Sequence, residues 1–146
     1  MIRSKYFILA VFCLPSIIFL TSCSEGSIGL PVFANVSDKA GIRNVGGLGQ
    51  TAAWGDFNGD GCQDLIVSNT DTRRSSRNVF LFKNMCNGTF TDVTARSGIV
   101  NQPIRSAAWA DFDNDGLLDL IVGTIMSGAP PILYKNLGGG VFRDVS

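Results

Sequence analysis

The chain copies itself, and the copy limits what it can fold into. AAWGDFNGDGCQDLIVSNT (52–70) aligns with AAWADFDNDGLLDLIVGTI (107–125) at an offset of 55 residues. VFLFKNMCNGTFTDVT (79–94) aligns with ILYKNLGGGVFRDVS (132–146) once one residue is dropped. The last piece occurs a third time at the front, where VFANVSDKAGI (32–42) matches TFTDVTARSGI (89–99). Residues 32–146 therefore hold the tail of one repeat, one whole repeat and most of another. A period in this range marks a stacked array, in which one unit cannot bury its faces without neighbours.

Each repeat reads as short β-strands. Thr51 to Trp54 is small and mixed, and Asp64 to Ser68 is apolar and β-branched. Val79 to Lys83 and Phe90 to Thr94 follow, with Asn87-Gly88 as the hairpin turn between them. Beyond the N-terminal apolar run, no stretch sustains an apolar period of 3.6. Four antiparallel strands in roughly 50 residues make one β-propeller blade, and propellers need about four to eight blades. The expected fold is all-β, with about two blades present. Because the sequence stops inside a repeat, it reads as the N-terminal piece of a larger ring.

Within the repeats, DFNGDGCQDLIV (56–67) and DFDNDGLLDLIV (111–122) crowd acids at alternating positions. Asp56, Asn58, Asp60 and Asp64 occupy loop positions 1, 3, 5 and 9, as do Asp111, Asp113, Asp115 and Asp119. Position 6 is Gly in both loops (Gly61, Gly116), which permits a left-handed turn. Position 7 can offer a backbone carbonyl, from Cys62 and Leu117. Five converging oxygens with water to complete the shell suit Ca²⁺, whereas Mg²⁺ demands tighter octahedral geometry. Without a cation the carboxylates repel one another. An EF-hand would need an acid at position 12, and that position is Val67 or Val122 inside an apolar run. The competing reading is a pair of metal-free Asx turns.

The N-terminus has a different composition. Arg3 and Lys5 precede the apolar run Phe7 to Leu20, and Leu20-Thr21-Ser22-Cys23 follows. This is the layout of a secretory signal, too short for the ~20 residues of a membrane span. Leu-Thr-Ser-Cys resembles the lipobox of bacterial lipoproteins, which implies cleavage after residue 22 and lipidation of Cys23. Ser24, with no Asp there, is similar to the outer-membrane sorting pattern. The expected localisation is thus exported, lipid-anchored to the outer membrane or cell surface of a bacterium. Residues 24–31 (SEGSIGLP) read as a tether to the repeats at 32–146.

The repeats also carry a family likeness. A-A-W-x-D-F-[ND]-x-D-G-x-x-D-L-I-V resembles the FG-GAP/VCBS-type repeats of calcium-binding β-propellers, including those of integrin α chains. F-x-[DN]-V-[ST] and [LY]-[FY]-K-N are similar to the cartilage-acidic-protein and ASPIC/UnbV group. The resemblance implies that each Asp loop joins the first two strands of a blade and holds Ca²⁺. It also implies that Phe33 to Ser37 is a strand closing the last blade of a ring. Trp54 and Trp109, at equivalent positions, are expected to pack between blades. Asn35, Asp92 and Asp144 are expected to be turn or strand-end hydrogen bonders rather than catalytic acids.

Cys62 and Cys86 fall in one repeat, and Leu117 and Gly138 replace both in the other. In a four-stranded meander the loops after strands one and three lie at the same end, so a Cys62–Cys86 disulfide is expected, as export permits.

Composition narrows function further. The chain has no His, and Glu25 is its only Glu, so Ser-His-Asp and Cys-His catalysis cannot be assembled within it. Without residues 1–22 the balance is 10 Lys+Arg against 12 Asp+Glu. No basic run suggests nucleic acid, and Arg73, Arg74 and Arg77 read as a solvated loop cluster. The expected function is a non-catalytic, lipid-anchored, calcium-binding module that recognises a protein or glycan. The alternative is the N-terminal propeller of a larger exported enzyme or assembly factor.

Overall fold

In the computed structural model, residues 33–42, 49–69, 78–124 and 128–146 are described. They form two four-stranded antiparallel meanders, consistent with two propeller blades. Blade 1 comprises β1 (Gly49–Gly55), β2 (Asp64–Asn69), β3 (Val79–Asn84) and β4 (Phe90–Asp92). Blade 2 comprises β5 (Ile104–Ala110), β6 (Asp119–Thr124), β7 (Ile132–Asn136) and β8 (Phe142–Asp144). Register repeats with the sequence: Trp54 pairs with Leu65 as Trp109 pairs with Leu120. Each first strand slips at the same place, between Gly49 and Thr51 and between Ile104 and Ser106.

The Leu65-Ile66-Val67 run is covered on both faces, which is why it lacks polar alternation, whereas in the second run Ile121 is exposed. Ile66 faces the core between the sheets, beside Leu81, Leu120, Val122 and Tyr134. Leu65, on the opposite face, joins Phe80 and Phe82, with Ile42 and Phe90 against them. Trp109 packs on the inter-sheet core, and its indole N–H donates to the Ala53 carbonyl at 3.3 Å. Trp54, its counterpart, is 56% exposed and lies against Phe90 of its own blade. The expectation of packing between blades therefore holds for Trp109 and not for Trp54. Blade 1 has blade 2 on one side only.

Two segments differ from the sequence reading. Residues 33–36 lie in no strand, and Ser37–Ala40 forms a short helix, α1. A strand needs a neighbour to complete its ladder, and no described strand pairs with this segment. The expected strand at Phe90 to Thr94 ends at Asp92, and Thr94–Ser97 forms the equivalent helix, α2. The cause is local: the Asp92 carboxylate accepts the Thr94 N–H at 2.9 Å and turns the chain. Asn35 accepts from Ser37 (3.0 Å) and Asp144 from Ser146 (2.9 Å) in the same i to i+2 pattern. All three repeat copies thus use that residue as an i to i+2 acceptor, at a strand end for Asp92 and Asp144 and in a turn for Asn35.

Both helices end in a left-handed glycine set against a strand. A Cβ on Gly41 would stand 2.8 Å from the Phe90 carbonyl oxygen, and one on Gly98 2.4 Å from that of Phe142. Only glycine fits such an approach at positive φ. Each helical segment is thereby fixed to the blade that follows it. Ala34–Ser146 is one compact unit. The signal, Cys23, the tether and the Arg73 cluster lie outside the described residues.

Candidate metal centres

The two Asp loops lie at the same end of the two blades, after β1 and after β5. Each curls around its first Asp. The Asp56 carboxylate accepts the Asp60 N–H (3.1 Å) and the Gly61 N–H (2.8 Å). Asp111 accepts from Asp115 (3.0 Å) and Gly116 (2.9 Å). Asp60 then accepts from Cys62, and Asp115 from Leu117, each at 3.0 Å. Gly61 and Gly116 supply the required φ of 86° and 87°. In loop 1, Asn58 also accepts from Asp60 at 2.9 Å.

Asp64 and Asp119 form the base of each loop and are buried. Asp64 accepts the Phe57 N–H (3.1 Å) and the Asn84 N–H (2.7 Å), tying the loop to β3. Asp119 does the same with Phe112 (3.2 Å) and Asn136 (2.7 Å). Burial pushes the Asp64 carboxyl up, against the two backbone donors that hold it ionised. Both carboxylates thus hold the loop's shape, and each oxygen keeps a lone pair for a cation.

Asp111, Asp113 and Asp115 converge, with carboxylate oxygens within 4.8 Å of one another. The Lys135 ammonium enters this cluster, bonding Asp113 and, at 3.1 Å, Asp115. The two carboxylates push the Lys135 amine up, and the Leu117 N–H, followed by Lys135, pulls Asp115 down. In loop 1 Lys83 stands 3.3 Å from Asp60, whose carboxyl is lowered chiefly by the Cys62 N–H. Asp60 also groups with the sulfurs of Cys62 and Cys86. These two cysteines form a disulfide, with Cα atoms 5.7 Å apart, so their sulfurs are poor metal ligands. The bond joins loop 1 to the β3–β4 turn.

The donor set fits a hard divalent cation. It is all oxygen, carries three carboxylates around one point in loop 2, and already draws in an ammonium. Ca²⁺ there would be held by Asp111, Asp113, Asp115, Asp119 and the Leu117 carbonyl. In loop 1 the equivalents are Asp56, Asn58, Asp60, Asp64 and the Cys62 carbonyl.

Sequence reasoning passed over Lys83 and Lys135, and also Asn84 and Asn136. Their signal was the Lys-Asn pair found at the same place in both repeats. Phe57 was passed over too. It is 2% exposed between the blades, stacked on Trp109 and edge-on to Phe142, whereas Phe112 is 46% exposed.

Residues 56–122 match the family model described as FG-GAP-like repeat. Cartilage acidic protein 1 of Xenopus tropicalis is 31% identical over 100 residues, covering 67% of this chain. The chain spans 15% of the length of that relative. Together with two four-stranded blades, each opening on an Asp loop, these matches support an FG-GAP repeat protein.

Proposed function

We propose that the chain is an exported, lipid-anchored, calcium-binding propeller module that recognises a protein or a glycan at a bacterial cell surface. One observation carries the cation reading: two loops 55 residues apart fold into the same carboxylate-lined curl. The cation has a structural role, because both loops place oxygen donors at the same positions, with Asn58 in place of Asp113, and FG-GAP repeat modules are generally non-catalytic. Cys23 would carry the lipid, and the Cys62–Cys86 bond would clamp loop 1.

Thermal unfolding of the full chain in Ca²⁺ and in chelator tests this. Ligand bound only by the native state adds about 2.7 kcal/mol at 100 times its Kd. Chelation should therefore lower the Tm by several degrees, and Asp60→Ala and Asp115→Ala should each shrink that response. An unchanged melt would sink the calcium reading.

A second reading follows from the much greater length of the similar cartilage acidic protein. The repeats would then be the non-catalytic front of a larger exported enzyme or assembly factor. A His- and Glu-rich domain encoded downstream of residue 146 would favour it.

A further inference from the structure

Asn136 touches both Asp loops. It is wholly buried and makes four hydrogen bonds. Its backbone N–H donates to Asp119 at 2.7 Å, at the base of loop 2. Its side-chain amide donates to the Leu118 carbonyl at 2.9 Å, also in loop 2. The same amide crosses to blade 1 and donates to the Phe57 carbonyl at 2.8 Å. Its carbonyl oxygen accepts the Gly138 N–H at 2.9 Å, which fixes the orientation of the amide.

Asn84 repeats three of these bonds within blade 1, to Asp64, Gln63 and Cys86. The fourth, between blades, distinguishes Asn136. The Phe57 carbonyl belongs to the peptide unit that leads into Asn58, a donor of loop 1. The Leu118 carbonyl belongs to the unit that leads into Asp119, a donor of loop 2. Because peptide units are planar and rigid, one amide group sets the tilt of both. The Phe57 ring, held by Trp109 and Phe142, leaves that link no slack.

We propose that Asn136 is a positioning residue that couples the two loops, so that a cation in either loop raises the affinity of the other. This rests on the calcium reading above. A cation in loop 2 fixes Asp119 and, through it, Asn136. Loop 1 then binds with the Phe57–Asn58 peptide already ordered, and the ordering cost is met once rather than twice. Linkage requires the effect to be equal in both directions.

Calorimetric titration of the full chain with Ca²⁺ tests the coupling. Asp115→Ala leaves loop 1 to bind alone, and Asp60→Ala leaves loop 2. The two-site constant of the wild type should exceed the product of the two single-loop constants by roughly 3- to 10-fold, the scale of one hydrogen bond. Asn136→Ala should bring the ratio to about one while both loops still take up cation. Hydrogen exchange gives a readout that needs no change at Asn136. In Asp115→Ala, Ca²⁺ should slow exchange of the Asn136 amide, whose acceptor lies in the other loop. A wild-type ratio of one, or unchanged exchange at that amide, would overturn the coupling and leave the calcium reading standing. Absence of Ca²⁺ uptake by the wild type would overturn both.

Discussion

Phe57 and Phe112 hold the same position in the two loops, yet only Phe57 has a blade to enter. Phe57→Ala removes a ring that is 2% exposed and lies 6.1 Å from Trp109 and 5.9 Å from Phe142, centroid to centroid. A buried Phe→Ala change costs about 3–5 kcal/mol, transfer and cavity together. Collapse of the cavity is hindered because β-sheet walls flank it on both sides, so the upper half of that range is expected. Phe112→Ala removes a ring that is 46% exposed. Full burial of such a side chain is worth about 1.5–3 kcal/mol, so half-burial without a cavity gives about 1 kcal/mol. The two variants should then differ by about 3 kcal/mol. At a slope of roughly 1.5 kcal/mol per molar urea, that separates their unfolding midpoints by about 2 M. The assay is urea unfolding followed by Trp fluorescence, with both variants in the same Ca²⁺ buffer. Equal midpoints would refute the claim that loop 1 is plugged into blade 2. In a longer chain with a further repeat behind blade 2, Phe112→Ala should become as costly as Phe57→Ala.

Other perturbations test separate parts of the structure. Replacing Cys62 and Cys86 by Ser opens a crosslink of 24-residue separation, which loop entropy values at about 3 kcal/mol; mass spectrometry finding two free thiols in the folded wild type would refute the bond. Gly98→Ala should cost roughly 2 kcal/mol or more, from positive φ and the Phe142 carbonyl 2.4 Å away. Gly88→Ala, at a φ of 83° but in open space, should cost about half as much in the same melt. Burial, with Asp144 adding to it, pushes the Tyr134 phenol above its usual value of 10.0, while the Val100 N–H donates to it at 3.2 Å. The unfolded chain therefore ionises first, and the native state loses stability as pH rises past about 10. Tyr134→Phe should lack that alkaline loss and cost about 0.5–1.5 kcal/mol at neutral pH; parallel stability profiles above pH 10 would refute the assignment.

How much of this was legible in the sequence depended on whether the signal was local. Loop positions 1, 5 and 6 fix a curl by their own hydrogen bonds, so the turns at DFNGDG and DFDNDG could be read from spacing alone. The strands at Leu65-Ile66-Val67 and Leu120-Ile121-Val122 were equally plain, since a branched apolar run bounded by turns has few alternatives. The segment at Phe33 to Ser37 was misread because strand formation is decided by a neighbour, and no residue within VFANVS records whether one is present. Lys83 and Lys135 were passed over because a lysine on a strand reads as solvent-facing. What turns them inward is the acidic loop opposite, more than 20 residues away in sequence.

The contrast between equivalent residues carries the argument furthest. Trp54 and Trp109, Ile66 and Ile121, Phe57 and Phe112 are identical pairs at equivalent positions of the two repeats, and one member of each pair is much more exposed. Trp109, Ile66 and Phe57, the covered members, all meet in the core between the blades. Trp54 is the first-blade member of its pair, whereas Ile121 and Phe112 belong to the second blade. The exposed residues thus lie on the two opposite outer faces, one of each blade. Exposure follows from position in the stack rather than from the side chain. A blade of this sequence therefore carries two apolar faces, and part of its burial comes from neighbours. The Asp loops inherit the same dependence, because position 2 enters the next blade in loop 1 and stands exposed in loop 2. A loop with its plug seated, as in loop 1, is held from both sides. One with its plug exposed, as in loop 2, is held from its own blade alone, and should be the weaker and more mobile of the two.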